Sequence, residues 1–221
     1  MKKRGTVVFF DLGDTLEDES RCHQERARIA AEICREQYPQ ITEAYFLQRQ
    51  HDAGTSGAVS CFSSALAGLV IDTDTRMRIQ EHVRWNKEML SADPGAHHLL
   101  TAIDGRYQLG IIANQSSNFE KRLSQYGIRG YFDIVICSCD VGMQKPDDGI
   151  FRHAESLVHE SDTTFWMIGD RVDNDIVPAK KRGWKTVRYL HGNYRDYVCT
   201  SDAERPDYEI TDLRELVGIL A

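Results

Sequence analysis

From residue 91 onward, short β-branched or aromatic runs alternate with stretches of helical period, and few folds accept that alternation. Tyr107–Ala113, Phe132–Cys137, Thr164–Ile168, Trp184–Tyr189 and Tyr208–Ile210 read as strands. Between them the pattern predicts helices through Leu99 and Leu100, over Phe119–Tyr126, over roughly Asp148–Val158 and over Asn174–Arg182. Gly127 and Gly183 stand where glycine commonly stops a helix. A final helix presents Leu213, Leu216, Val217 and Leu220 on one face, with Thr211 or Asp212 able to cap its start. Strands separated by helices pair in parallel through right-handed crossovers. The expected fold is therefore α/β: a three-layer α/β/α sandwich around a parallel, Rossmann-like sheet.

The first strand comes earlier, at Thr6-Val7-Val8-Phe9-Phe10, and runs into the turn-rich Asp11-Leu12-Gly13-Asp14-Thr15. From about Glu17 to Leu90 the pattern is different. Ala27, Ala30, Ala31, Cys34 and Tyr38 recur at helical spacing, as do Ile79, Val83 and Leu90, while Pro39 and the Gly54–Gly57 stretch break the region into several helices. No convincing strand lies within it. The expected organisation is an α/β core from residues 1–16 and 91–221, interrupted by an all-helical cap domain over 17–90.

Composition narrows the function. Hydrophobic residues make up 41% and charged residues 28%, which excludes a disordered chain. A formal net charge of -7 repels nucleic acid and anionic membranes, so neither is expected as a partner of the whole molecule. The basic start Met1-Lys2-Lys3-Arg4-Gly5 precedes an apolar run too short for a signal peptide or a membrane span. Cys22, Cys34, Cys61, Cys137, Cys139 and Cys199 lack the spacing of a disulfide framework or a zinc site, with Cys137 and Cys139 alternating along an apparent strand. They read as reduced thiols of a cytoplasmic protein.

In an open α/β sheet the ligand sits beyond the carboxyl ends of the strands, and four short elements fall there. They are Phe10-Asp11-Leu12-Gly13-Asp14-Thr15-Leu16, then Ile111-Ile112-Ala113-Asn114-Gln115, then Gly142-Met143-Gln144-Lys145-Pro146-Asp147, and last Ile168-Gly169-Asp170-Arg171-Val172-Asp173-Asn174-Asp175-Ile176. Each alone is a weak signal. All four, in this order and on these strand ends, resemble the haloacid dehalogenase superfamily, whose members are mostly phosphatases, and the helical insertion resembles that family's small cap.

The resemblance implies a magnesium-dependent phosphatase that hydrolyses a small-molecule phosphate ester through an aspartyl-phosphate. Asp11 would be the nucleophile. The metal ligands would be Asp11, the backbone carbonyl of Gly13, and Asp170, with Asp175 as an outer carboxylate that orients metal waters or Lys145. Lys145 would be catalytic and bind phosphate, and Asn114 would donate its amide hydrogens to the phosphate. The chemistry suits these residue types. A carboxylate can form the covalent intermediate, but it must approach a phosphate dianion, and a hard divalent cation offsets the repulsion. Asp173 reads instead as a helix cap or a solvated acid.

Two positions depart from the family pattern. Gly13 stands where family phosphatases carry a second aspartate as general acid and base. Asp14, Glu17, Asp18, His23 and His51 are candidates for a substitute, and a substrate with a good leaving group is the other solution. Ala113 stands where a threonine or serine is usual, with Ser116, Ser117 or a backbone amide as replacements. Asp170 argues against a metal-free dehalogenase. The absence of lysine between Lys3 and Lys87 argues against a Schiff-base phosphonate hydrolase. The alternative function is a non-catalytic binding protein for magnesium and a phosphorylated ligand. The cap offers Arg21, His23, Arg26, Arg28, Tyr45, Arg49 and His51 toward a substrate, none of them assignable from sequence, and the chain is expected to be a monomer or a homodimer.

Overall fold

Period-two alternation along the first strand, β1 (Thr6–Phe10), sets the layers. Val7 and Phe9 project to one face, Val8 and Phe10 to the other, and all four are buried. Two apolar clusters result. One gathers Val8, Phe10, Leu109, Ile111 and Ile168 with Leu99, Leu100, Phe119, Leu213 and Leu216. The other gathers Val7, Phe9, Ile112, Ile136 and Met167 with Ile150, Phe151, Ala179 and Trp184. A sheet with both faces covered by helices is the three-layer α/β sandwich expected from the sequence.

The computed structural model describes residues 5–116 and 118–221, so the basic residues Lys2, Lys3 and Arg4, and the phosphate-contact candidate Ser117, lie outside the described residues. After β1 come β2 (Glu17–Asp18), α1 (Ser20–Cys34), α2 (Glu43–Thr55), α3 (Cys61–Ala67), α4 (Thr73–His82) and β3 (Ser91–Ala92). The rest of the chain alternates: α5 (Ala96–Ile103), β4 (Gln108–Ala113), α6 (Phe119–Gln125), β5 (Ile134–Cys137), α7 (Ser138–Val141), α8 (Asp148–Ser156), β6 (Thr164–Gly169), α9 (Val177–Lys181), β7 (Lys185–Tyr189), β8 (Tyr208–Ile210) and α10 (Leu216–Ile219). The main sheet has six strands in the order β5-β4-β1-β6-β7-β8, and each pairing is parallel. β1 lies where the order reverses, between β4 and β6. That is the switch point at which open α/β sheets form a crevice.

The chain divides into two compact units. One runs to Glu17, resumes over Ala92–His191 and closes with Cys199–Ala221. The other comprises Asp18–Ser91 and Gly192–Val198. The second unit is helical and has its own core of Ala27, Ala30, Cys34, Ile41, Phe46, Leu66, Leu69, Ile79 and Val83. Thr42, Ser60 and Asp72 cap α2, α3 and α4, each side chain accepting a backbone N–H three residues on. The late segment Gly192–Val198 joins this unit through close backbone approach. A Cβ on Gly54 would stand 2.1 Å from the carbonyl oxygen of Asn193, and Tyr194 donates to the carbonyl of Ala58 at 2.8 Å. Among the described residues no helix is long and apolar enough to cross a membrane.

Local structure departs from the sequence reading in four places. Glu17–Asp18 and Ser91–Ala92 pair as a two-stranded ribbon where no strand was expected. Cys139 is not on a strand: β5 ends at Cys137 and the next turn is helical, closed by Gly142 at φ 67. The helix after β6 opens as a π-turn over Val172–Ile176 rather than as an α-turn. The final helix begins with a 3-10 turn at Leu213–Glu215 and is short.

Gly110 on β4 leaves room for Phe9, since a Cβ there would lie 2.4 Å from the phenyl ring. Phe9 is fully buried and stacks on Trp184 with centroids 5.4 Å apart, so the ring has little room to retreat. Gly110→Ala is expected to destabilise the protein by about 1–3 kcal/mol, the usual cost of overpacking, and urea unfolding measures it. An unchanged midpoint would show that the sheet relaxes around the methyl group.

Candidate active site

Strand register brings the acidic residues together. Phe10 pairs with Ile168, and the amide of Asp11 donates to the carbonyl of Ile168 at 2.8 Å. The residues that leave β1 and β6 therefore start side by side at the switch point. Asp170 follows two residues after Ile168, and the π-turn carries Asp175 back over the strand end. One carboxylate oxygen from each of Asp11, Asp170 and Asp175 lies within 4.8 Å of the others.

Lys145 is the cation of this cluster. It reaches the site from the loop after α7, is 2% exposed, and places its Nζ 2.7 Å from Asp11 Oδ1 and 2.6 Å from Asp175 Oδ1. Burial alone would pull its pKa down. The negative charges of Asp11 and Asp175 outweigh that and hold it above its ordinary value, so it stays charged. Two features fix its position. The side chain of Asn114 clamps the Lys145 main chain, donating from Nδ2 to the carbonyl at 2.7 Å and accepting from the amide at 2.8 Å. Asp175 is held in turn, because its Oδ2 accepts the Arg171 amide at 3.1 Å. Gly169 makes this approach possible: a Cβ there would stand 2.3 Å from Asp175 Oδ2.

Asp170 is different. It is buried, and among the described residues it has no hydrogen bond or ion pair. Burial, followed by the charges of Asp11, Asp14 and Asp175, raises its pKa well above the carboxylate range. Burial also raises Asp175, to about 7, against the opposing pull of Lys145. An unpaired buried carboxylate beside two more, with Lys145 committed to the other pair, is a donor set that fits a hard divalent cation. Asp170 and the second oxygen of Asp11 are the groups left to hold one, since Asp11 Oδ1 is bonded to Lys145 and both oxygens of Asp175 are engaged by Lys145 and Arg171.

The structure also sorts the candidates for a missing general acid. Glu17 is fully buried, and Arg122 binds both of its oxygens at 2.6 and 3.1 Å while Tyr126 donates at 2.9 Å, so it is locked. Asp18 accepts the Ser20 amide, His23 bonds Gln50, and His51 lies 2.9 Å from Asp196. Asp14 is buried at a positive φ of 48 and adds its charge to the Asp170 environment. Gly13 forms a bridge with Glu17 at the end of the same loop, Ala113 packs into the apolar cluster on one sheet face, and Ser116 is exposed. Sequence reasoning missed the Asn114 clamp, the Glu17–Arg122–Tyr126 cluster and the space left by Gly169. The glycine directly before Asp170 was the one local signal for the last.

The model of the family described as haloacid dehalogenase-like hydrolase matches residues 8–189. The chain belongs to that family. Over nearly its full length (99%) it is 29% identical to glyceraldehyde 3-phosphate phosphatase of Pyrococcus furiosus, covering 94% of that protein. It is 41% identical over 114 residues to the enzyme of the same name from Methanocaldococcus jannaschii, and 33% identical over 135 residues to the pyrimidine 5'-nucleotidase YjjG of Escherichia coli. In those two comparisons the chain spans 49% and 58% of the relative's length. Among solved structures, Bacillus subtilis YfnB bound to magnesium superposes with a TM-score of 0.71 at 24% identity, covering 99% of each chain. A phosphatase of the family from Thermococcus onnurineus gives 0.59 at 24% identity, covering 100% of this chain and 98% of that one.

A carboxyl whose pKa is higher in the folded chain than in the unfolded one holds its proton more tightly when folded. Metal-free protein is therefore expected to lose stability as pH rises from the ordinary carboxylate range through the raised Asp170 value. Asp170→Asn removes the titration and should flatten that decline. Denaturant midpoints for both proteins between about pH 5 and pH 8 check this, and parallel profiles would contradict it.

Proposed function

We propose that the chain is a magnesium-dependent phosphatase that hydrolyses a small phosphorylated metabolite through an aspartyl-phosphate on Asp11. The observation that carries this reading is the carboxylate set of Asp11, Asp170 and Asp175, gathered at the sheet's switch point with Lys145 bonded to two of them. Asp11 and Asp170, with the carbonyl of Gly13, would hold the ion. When bound, magnesium supplies the positive charge that lets a carboxylate approach a phosphate dianion.

Asp11 attacks phosphorus through a carboxylate oxygen. The bond from phosphorus to the ester oxygen breaks, and the leaving oxygen departs with its electron pair. Water then attacks the acyl-phosphate, releases inorganic phosphate and regenerates the carboxylate. Lys145 neutralises charge on the transferring group, its ammonium aimed by Asp175 and its main chain clamped by Asn114. Asn114 retains one amide hydrogen for a phosphate oxygen. The helical unit acts as the family's cap. The full-length similarity to an enzyme named for glyceraldehyde 3-phosphate supports a short phosphorylated carbon skeleton as the substrate class. A cytoplasmic setting accords with six free cysteines.

Gly13 favours a second reading, in which the site binds magnesium and a phosphorylated ligand without turnover. Hydrolysis of p-nitrophenyl phosphate separates the two. The phosphatase reading expects activity that requires magnesium and is abolished by Asp11→Asn; phosphate binding with no turnover supports the binding protein.

With glycine in place of the acid, the rate should rise steeply as the leaving-group pKa falls. Gly13→Asp is expected to flatten that dependence and to accelerate alkyl phosphates by about a hundredfold to ten-thousandfold, the usual contribution of a general acid. A series of aryl and alkyl phosphates measures the slope. Equal turnover of good and poor leaving groups by the unmodified chain would count against this account.

A further inference from the structure

The helical unit contains a cation whose charge its surroundings do not balance. Most of its arginines are committed. Arg28 pairs with Glu25 and Glu32, Arg76 donates to the carbonyls of Leu66 and Leu69, and Arg49 donates to the carbonyl of Ala65. Arg26, on α1, is half-buried and, among the described residues, forms no hydrogen bond or ion pair. Its Nε is fully buried and, among the described residues, donates to nothing. The guanidinium instead lies over the Phe62 ring at 3.7 Å and 5.3 Å from the Trp85 ring.

Aromatic stacking accounts for the face of this group but not for its edge. A cation–π contact uses the flat face of the guanidinium, whereas its N–H bonds point outward in the plane, the geometry that grips a carboxylate or phosphate. Removal from water lowers the Arg26 pKa to about 10, with the attraction of Cys22 and Glu19 too weak to offset it. A second buried polar group in the helical unit, on Gln50, is linked to Arg26 only through His23. His23, close enough for the Arg26 charge to act on it, bonds Gln50 at 3.3 Å and meets the Trp85 ring at 5.2 Å. Gln50 is 0% exposed, and its Nε2 has no partner among the described residues. Turning the amide over would satisfy the nitrogen against His23 and leave the oxygen unmet instead.

We propose that Arg26 is an oxyanion site of the helical unit that receives a carboxylate or phosphate group of a small molecule. The anion binds within the helical unit. Arg28 and Arg76, by contrast, engage carboxylates and carbonyls. Arg26 keeps its charge, its stacking and an unused donor edge. An incoming oxyanion would offset the desolvation of the cation and supply an acceptor for its buried N–H.

Trp85 provides a local reporter. Three tryptophans occur in the chain, so three indole N–H signals are expected from 15N-labelled protein, and Trp85→Phe assigns the relevant one. Protein freed of metal on a chelating resin is titrated with malonate, a dicarboxylate without phosphorus. The Trp85 signal is expected to shift saturably, and Arg26→Gln to weaken the binding by about tenfold to a hundredfold, the worth of a charged hydrogen bond. Arg26→Lys should recover part of it. A saturable shift that is weakened in Arg26→Gln supports the site. It is overturned if malonate leaves the Trp85 signal in place, or moves it equally in the unmodified chain and in Arg26→Gln. The titration needs no turnover, so a chain that hydrolyses no ester would refute the phosphatase reading alone.

Discussion

The site depends on one buried ammonium group. Lys145 stands between Asp11 and Asp175 at hydrogen-bonding distance from both. Burying one charge costs several kcal/mol unless partners meet it, and here two carboxylates do. Their attraction keeps the lysine charged in a place that would otherwise neutralise it. The lysine in turn allows two acids to stand close together near the end of the central strand. Remove it, and mutual repulsion would drive the carboxylates apart or protonate them.

This pairing leaves a remainder that gives the site its chemical character. Lys145 offsets part of the cluster's charge, but Asp170 is buried and, among the described residues, unpaired. A fold that holds such a group spends stability on it, and proteins keep such features where a ligand restores the balance. The same logic distinguishes Glu17, equally buried but bound at both oxygens by Arg122 and supported by Tyr126. Two buried acids thus have opposite surroundings. Glu17 is satisfied within the protein and ties the chain after β1 to α6, whereas Asp170 has no hydrogen bond or ion pair among the described residues.

The layers, the parallel sheet and the positions of Asp11, Lys145 and Asp170 were legible in the sequence, because strand runs and helical periods repeat with clear punctuation from residue 91 onward. Asp11 and Asp170 end adjacent strands, so their meeting follows from register alone. The rest depended on contacts that periodicity does not encode. The π-turn that aims Asp175 breaks the 3.6-residue period on which helix reading rests. Asn114 read as a phosphate donor because its type and place suit that role, whereas its bonds to the Lys145 main chain join segments 31 residues apart. Gly192–Val198 joins the helical unit across a still longer separation, through backbone packing against Gly54 that leaves no pattern in composition. Ser117, a candidate phosphate contact, lies outside the described residues.

Crystallising the protein with magnesium and beryllium fluoride tests the central claim most directly, since that anion mimics a phosphoryl group on a carboxylate. The account predicts the beryllium group on an Asp11 oxygen, one magnesium ion bound by both Asp11 and Asp170, and the Lys145 ammonium against the fluorides. A magnesium ion bound elsewhere, or Asp11 and Asp170 sharing none, would contradict it.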